Sequence, residues 1–200
     1  MIRDIFFSID SYMRSGGAVM IPILAVSFFM WVLIINRVIF LRRLYMKNIS
    51  RDTAGELVRQ DSMPEDGYQG ANSLIVRQFL RARTHDPELD NFILDEIVVK
   101  LVASMDTYLG TIQVLAGIAP LLGLLGTVTG MMGTFEVITI FGTGNARAMA
   151  GGISVALMTT QAGLMVSIPG LYMAGFLKRR SNNLKYRIAA TGMYLKRFLQ

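Results

Sequence analysis

"PLLGLLGTVTGMMGTF", from Pro120 to Phe135, carries no charge, yet nearly half of it is glycine or threonine. Gly123, Gly126, Gly130 and Gly133 recur every three or four residues, and each glycine costs a helix interior about 1 kcal/mol against alanine. Such a segment makes a poor soluble helix. It suits a bilayer, where lipid tails are as apolar as leucine, so that helices associate by close packing and small residues permit close approach. With Ala119 the glycines form one stripe in alternating steps of four and three. Span three repeats the pattern with Ala156, Thr160, Gly163, Ser167, Gly170 and Ala174.

The rest of the chain agrees. Of its 200 residues 52% are hydrophobic and only 17% charged, where a soluble domain carries about 25%. No charge occurs over 15–36, 107–135 or 148–177, and each window exceeds the roughly 20 residues that cross a hydrocarbon core. The first window is longer than a signal-peptide core and ends at Asn36-Arg37, so it reads as a retained anchor. Its Phe28, Phe29, Met30 and Trp31 are bulky, and that span reads as lipid-facing.

The fold class is therefore an all-α membrane protein with three transmembrane helices and long cytoplasmic helical extensions. Residues 1–15 read as an amphipathic interfacial segment and 16–40 as span one. A cytoplasmic helical region (41–108) leads to span two (109–141), a short outer loop (142–151) and span three (152–177). A cytoplasmic helix (178–200) ends the chain. Arg37, Arg42, Arg43 and Lys47 follow span one, and Lys178, Arg179 and Arg180 follow span three. The positive-inside rule then places the N-terminus outside and the C-terminus in the cytoplasm. Charges at membrane boundaries need no nucleic acid to explain them.

Within the cytoplasmic region "DSMPEDGYQG" (Asp61–Gly70) is turn-rich. Asp86 is the expected N-cap of the next helix, with Pro87 at its first position and Glu88 near the positive end of the dipole. Leu89, Phe92, Ile93, Ile97, Leu101, Met105, Tyr108 and Ile112 then keep helical spacing, and no proline intervenes before Pro120. One unbroken helix from Pro87 into span two is expected. Leu184, Ile188 and Leu195 extend span three in phase. Pro120 and Pro169 are the expected helix kinks.

Polar side chains at membrane depth are the candidate functional groups: Thr127, Thr129 and Thr134 in span two, Thr159, Thr160 and Gln161 in span three. A lone threonine usually bonds a carbonyl of its own helix. "MTTQAG" (Met158–Gly163) is denser than that habit explains. Enzymatic chemistry is not expected. "GISVA" (Gly152–Ala156) only loosely mimics a serine turn, and the single histidine, His85, lies far from it in sequence. Neither phosphate-binding loop pattern occurs. No cysteine and one histidine exclude thiolate or multi-histidine metal sites, so no metal or cofactor is expected.

"APLLGLLGTVTGMMGTF" followed by "GGISVALMTTQAGLMVSIPG" resembles the MotA/TolQ/ExbB proton-channel family, closest to the ExbB and TolQ branch. The resemblance is close over about Ala119 to Gly170 and extends loosely to the topology of the whole chain. It implies a bacterial inner-membrane protein with a periplasmic N-terminus. Five copies would surround a dimer of a single-span ExbD/TolR-type partner, with a TonB-type protein as a further partner. The ExbD/TolR-type partner's membrane aspartate would carry protons, and the motion so driven would be coupled to the outer membrane.

By the same resemblance, the threonine of the Gly-Thr-Val motif falls on Thr127 and the span-three pore threonine on Thr160. Thr159 and Gln161 complete the expected ion pathway. Gly123, Gly126, Gly130, Gly133, Gly163 and Gly170 are the expected packing positions. Many relatives carry a glutamate five residues before the pore threonine, where this chain has Val155. An intramembrane carboxylate is the natural proton relay. Glu136 near the outer end of span two is no substitute, so the titrating group would come mainly from the partner. Two alternatives stay open: a nonconducting membrane scaffold, and a TolQ-type envelope-maintenance or motility stator.

Overall fold

The computed structural model describes residues 16–199 apart from Lys47, Asp66 and Gln69. The expected interfacial segment at 1–15 lies outside the described residues. Six α-helices follow in order: α1 (Met20–Met46), α2 (Arg51–Arg59), α3 (Ala71–Ala82), α4 (Pro87–Ser104), α5 (Leu109–Phe141) and α6 (Ala146–Leu195). Short 3-10 turns at Gly142–Gly144 and Lys196–Phe198 complete the described chain, and no strand occurs among the described residues. The stretches containing α1, α5 and α6 are long and apolar enough to cross a membrane. Pro120 and Pro169 lie inside continuous helices.

The chain divides into two compact units. The first holds residues 1–34 and 111–174, and its described part is the apolar bundle. Ile23, Met30 and Ile34 of α1 are fully buried, as are Ile112, Ala116 and Ala119 of α5. Phe28, Phe29 and Trp31 are exposed, as expected of lipid-facing side chains. Met30 corrects that expectation: it is wholly buried, and a methyl at Gly170 would come within 2.8 Å of its Cε. Unbranched methionine fills the irregular gap over the small Gly170 and Ala116.

The second unit holds residues 35–110 and 175–200. Ile75, Val76, Phe79, Leu94 and Met105 are fully buried there. So are Leu177, Ile188 and Leu195, and the last two with the buried Leu184 keep the phase expected for the continuation of span three. Asn72 knits three segments together. It receives the Thr191 hydroxyl at 3.1 Å, donates to the Ile49 carbonyl at 2.9 Å, and through its backbone N–H reaches Asn48 at 2.8 Å. Asp86 caps α4 as expected, accepting from the Glu88 N–H at 3.0 Å with Pro87 in the first turn. The buried Asp90 accepts from the Thr84 N–H at 2.8 Å and closes the turn before α4.

Two expectations fail in this unit. The helix starting at Pro87 does not run unbroken into span two: it stops at Ser104, and Met105 to Tyr108 form a turn with Tyr108 at φ 63°. A helix end frees carbonyls, and distant side chains take them. Arg37 donates to Ser104 O at 2.6 Å, and Ser181 donates to Met105 O at 2.9 Å. Lys185 and Lys178 close on the Asp106 carboxylate. The apolar stripe is also partly displaced, because Leu89, Phe92 and Tyr108 are exposed while Leu94 and Ile97 form the buried face of α4.

Candidate functional site

The glycine-rich stretches of α5 and α6 meet in an antiparallel seam within the first unit. A methyl on Gly163 would lie 2.6 Å from Ala119 O and 3.1 Å from Gly123 Cα, and one on Gly123 would lie 3.1 Å from Thr160 Cα. Further along, Gly126 faces the Thr159 side chain, and Gly130 faces Gly152 and Ala156. Residue numbers rise on one helix as they fall on the other. At each step glycine is required because backbone or a branched side chain occupies the place of a Cβ. Gly152 belongs to the same seam, since a methyl there would lie 2.7 Å from Gly130 O. Sequence reasoning missed it, although it sits one turn before Ala156. Gly170 packs against α1 and Ala116, whereas a methyl on Gly133 meets no described residue within 4 Å.

The polar groups divide by their place relative to this seam. Thr159 is fully buried, its hydroxyl bonded to the carbonyls of Val155 and Ala156, both at 3.0 Å. That corrects its place in the expected ion pathway: it fills the space over Gly126 and has no face open to water. Thr160, one residue on, is only partly buried. Its hydroxyl reaches across the seam to Gly123 O and back to Ala156 O, both at 3.3 Å. Thr127 lies one turn beyond Gly123 on the same side of α5, partly exposed, and donates to Leu124 O at 2.6 Å. Gln161 is exposed, and its amide bonds no other described residue.

Thr129 and Thr134 bond to Gly126 O and Gly130 O, both at 3.1 Å. All five threonine hydroxyls thus give their proton to a carbonyl and keep lone pairs as acceptors. Val155 is half-buried, and Glu136 is exposed. Chemically, the partly exposed Thr127 and Thr160 can accept hydrogen bonds from water or a neighbouring helix, and Gln161 can also donate. No group over 107–135 or 148–177 can exchange a proton as a carboxylate does.

Comparison with known proteins adds a separate observation. Residues 68–190, well over half of the chain, match the MotA/TolQ/ExbB proton channel family. An ExbB-like biopolymer transport protein of Synechocystis sp. is 32% identical over 197 residues, covering 94% of this chain and 77% of that protein. An ExbB homologue of Methanothermobacter thermautotrophicus is 28% identical over 84% of the chain, which spans 62% of the homologue's length. The biopolymer transport protein ExbB of Aquifex aeolicus is 41% identical, but over 34% of this chain and 47% of its own.

Proposed function

This chain belongs to the MotA/TolQ/ExbB proton-channel family and is of its ExbB type, a membrane protein of a transport family rather than an enzyme family; from that premise we propose that it is the multi-span subunit of a motor in the bacterial inner membrane. Several copies, five by family resemblance, surround a single-span ExbD/TolR-type partner whose aspartate supplies the titrating group. The N-terminus lies in the periplasm and the C-terminus in the cytoplasm. Proton flow past the partner's aspartate drives work at the outer membrane, with TonB-dependent import as the leading candidate.

The observation that carries this reading is the polar face formed by Thr127 and Thr160, with Gln161 beside it, within the charge-free stretches 107–135 and 148–177. Thr127 and Thr160 would face the partner's helix and hold water near its carboxylate with their free lone pairs. Without a glutamate at Val155, this subunit orients water and does not relay protons itself.

Proton flux in vesicles holding the protein and its partner tests the proposal. Thr160→Val is nearly isosteric and removes a bond worth about 0.6 kcal/mol on average in membranes, so assembly should persist while flux falls sharply. Unchanged flux in both Thr127→Val and Thr160→Val would refute the pathway. The scaffold would then be the better reading; it is favoured by the donation of all five of these threonine protons to carbonyls.

A further inference from the structure

In the second unit, α6 carries two sets of cations with opposite fates. Lys178 and Lys185 are spent on Asp106. Arg179, Arg180 and Arg187 pair with no carboxylate among the described residues. They line a cavity of about 750 Å³ together with Tyr45, Asn183 and Tyr186, and no acidic residue lines it among the described residues. The guanidinium carbons of Arg180 and Arg187 each lie 5.2 Å from the centre of the Tyr45 ring. Two like charges are therefore held no farther apart than twice that distance, with no anion among the described residues paired to either.

A second hollow, of about 380 Å³, adjoins the first and shares Phe176 and Arg180 with it. Besides these two it is lined by the apolar Val38, Leu41, Met46 and Leu177 and by Arg42. The first hollow extends from the second along α6 to Arg187, and the second begins where charge-free sequence ends, at Leu177 and Lys178 on α6 and just past Asn36 on α1. In a membrane protein that is the headgroup level.

We propose that this pair of hollows binds an anionic phospholipid, with its phosphate between Arg180 and Arg187 and the start of an acyl chain along Val38, Leu41 and Leu177. The planar guanidinium fork matches phosphate oxygens and makes short, charge-assisted bonds to them. Basic pockets at the membrane boundary are the known way to hold such headgroups. A free phosphate would satisfy the arginines and leave the apolar hollow wet, so the two together select a lipid. Only residence in a membrane is assumed; the inference stands whether or not the protein conducts ions.

The test is native mass spectrometry of the full chain released from mixed phosphatidylglycerol and phosphatidylcholine bilayers. Phosphatidylglycerol should be retained in preference to phosphatidylcholine. Arg180→Gln/Arg187→Gln should lower that retention about ten-fold or more, as expected when two charge-assisted contacts are lost. Arg43→Gln, which removes an equal charge from an exposed site outside both hollows, should leave it unchanged. If the double variant does not assemble, each single variant is compared with Arg43→Gln in the same way. Equal retention of the two lipids, or wild-type retention by the arginine variants, would overturn the proposal. Displacement of the lipid by excess inorganic phosphate would also overturn it and assign the site to a soluble anion.

Discussion

Gly163→Ala adds one methyl group where the α5–α6 seam is tightest. That methyl would stand 2.6 Å from Ala119 O, 3.1 Å from Gly123 Cα and 3.3 Å from Gly123 N, where ordinary contact begins at 3.4 Å. All three neighbours are backbone atoms, so no side chain can rotate away, and the two helices must separate locally by a good part of an ångström. Overpacking of this kind costs about 1–3 kcal/mol. A gap of that size also forfeits roughly a quarter to a half of each dispersion contact along the seam. Against this stands the gain of about 1 kcal/mol from replacing glycine with alanine in a helix. The net expectation is a loss of about 1–2 kcal/mol, a factor of roughly 5–30 in the folding equilibrium. Gly117→Ala is the control, because nothing lies within 4 Å of a methyl there, and only the helix-propensity gain remains. Titration of each variant from mild detergent into dodecyl sulfate, followed by the fluorescence of the single Trp31, should rank Gly117→Ala at or above wild type and Gly163→Ala below it. Equal midpoints for Gly163→Ala and wild type, or a lower one for Gly117→Ala, would refute the steric account of the stripe.

A methyl on Gly133 meets no described residue within 4 Å and Gly133 is proposed to contact another copy, so Gly133→Leu should cut oligomer yield in native gels while leaving the dodecyl sulfate midpoint unchanged. A reporter fused after Gln200 should be active only in the cytoplasm and one inserted at 142–145 only outside; the reverse pattern would contradict the orientation proposed from the boundary charges. Asp106, just before the charge-free stretch, has its carboxyl held below the usual carboxylate range, chiefly by the hydrogen bond from Lys185. A depressed carboxyl adds stability that is present above its unfolded-state pKa and lost as pH falls through the folded one. Wild type should therefore exceed Asp106→Asn in thermal stability at neutral pH, and the gap should close on acidification below the ordinary carboxylate range. A gap independent of pH would show that the charge is not what holds the turn at Met105.

The features legible in the sequence are those with a local cause. Charge-free length alone marks the three spans, and the phase of Leu177, Leu184, Ile188 and Leu195 marks the continuation of α6, because a helix repeats its face every three or four residues wherever it packs. The end of α4 at Ser104 has no such cause. No glycine or proline stands between Met105 and Tyr108. The helix stops there because Arg37 and Ser181, each more than sixty positions away, take the carbonyls that a break sets free. The same limit separates Thr159 from Thr160. Steps of three and four both belong to one stripe, and neighbouring residues point about 100° apart, so only the position of Gly126 on the opposite helix assigns Thr159 to the seam. Thr160 is left at the seam's edge, where its hydroxyl can serve two carbonyls and still accept a bond from water. The basic run after span three shows the limit in its sharpest form. Lys178 and Arg179 are adjacent in sequence and count alike toward orientation, yet one is bound to Asp106 and the other lines a cavity with no acid among its described lining residues. Charge in the sequence sets which side of the membrane a segment takes, and the fold alone decides which of those charges remains free to meet a ligand.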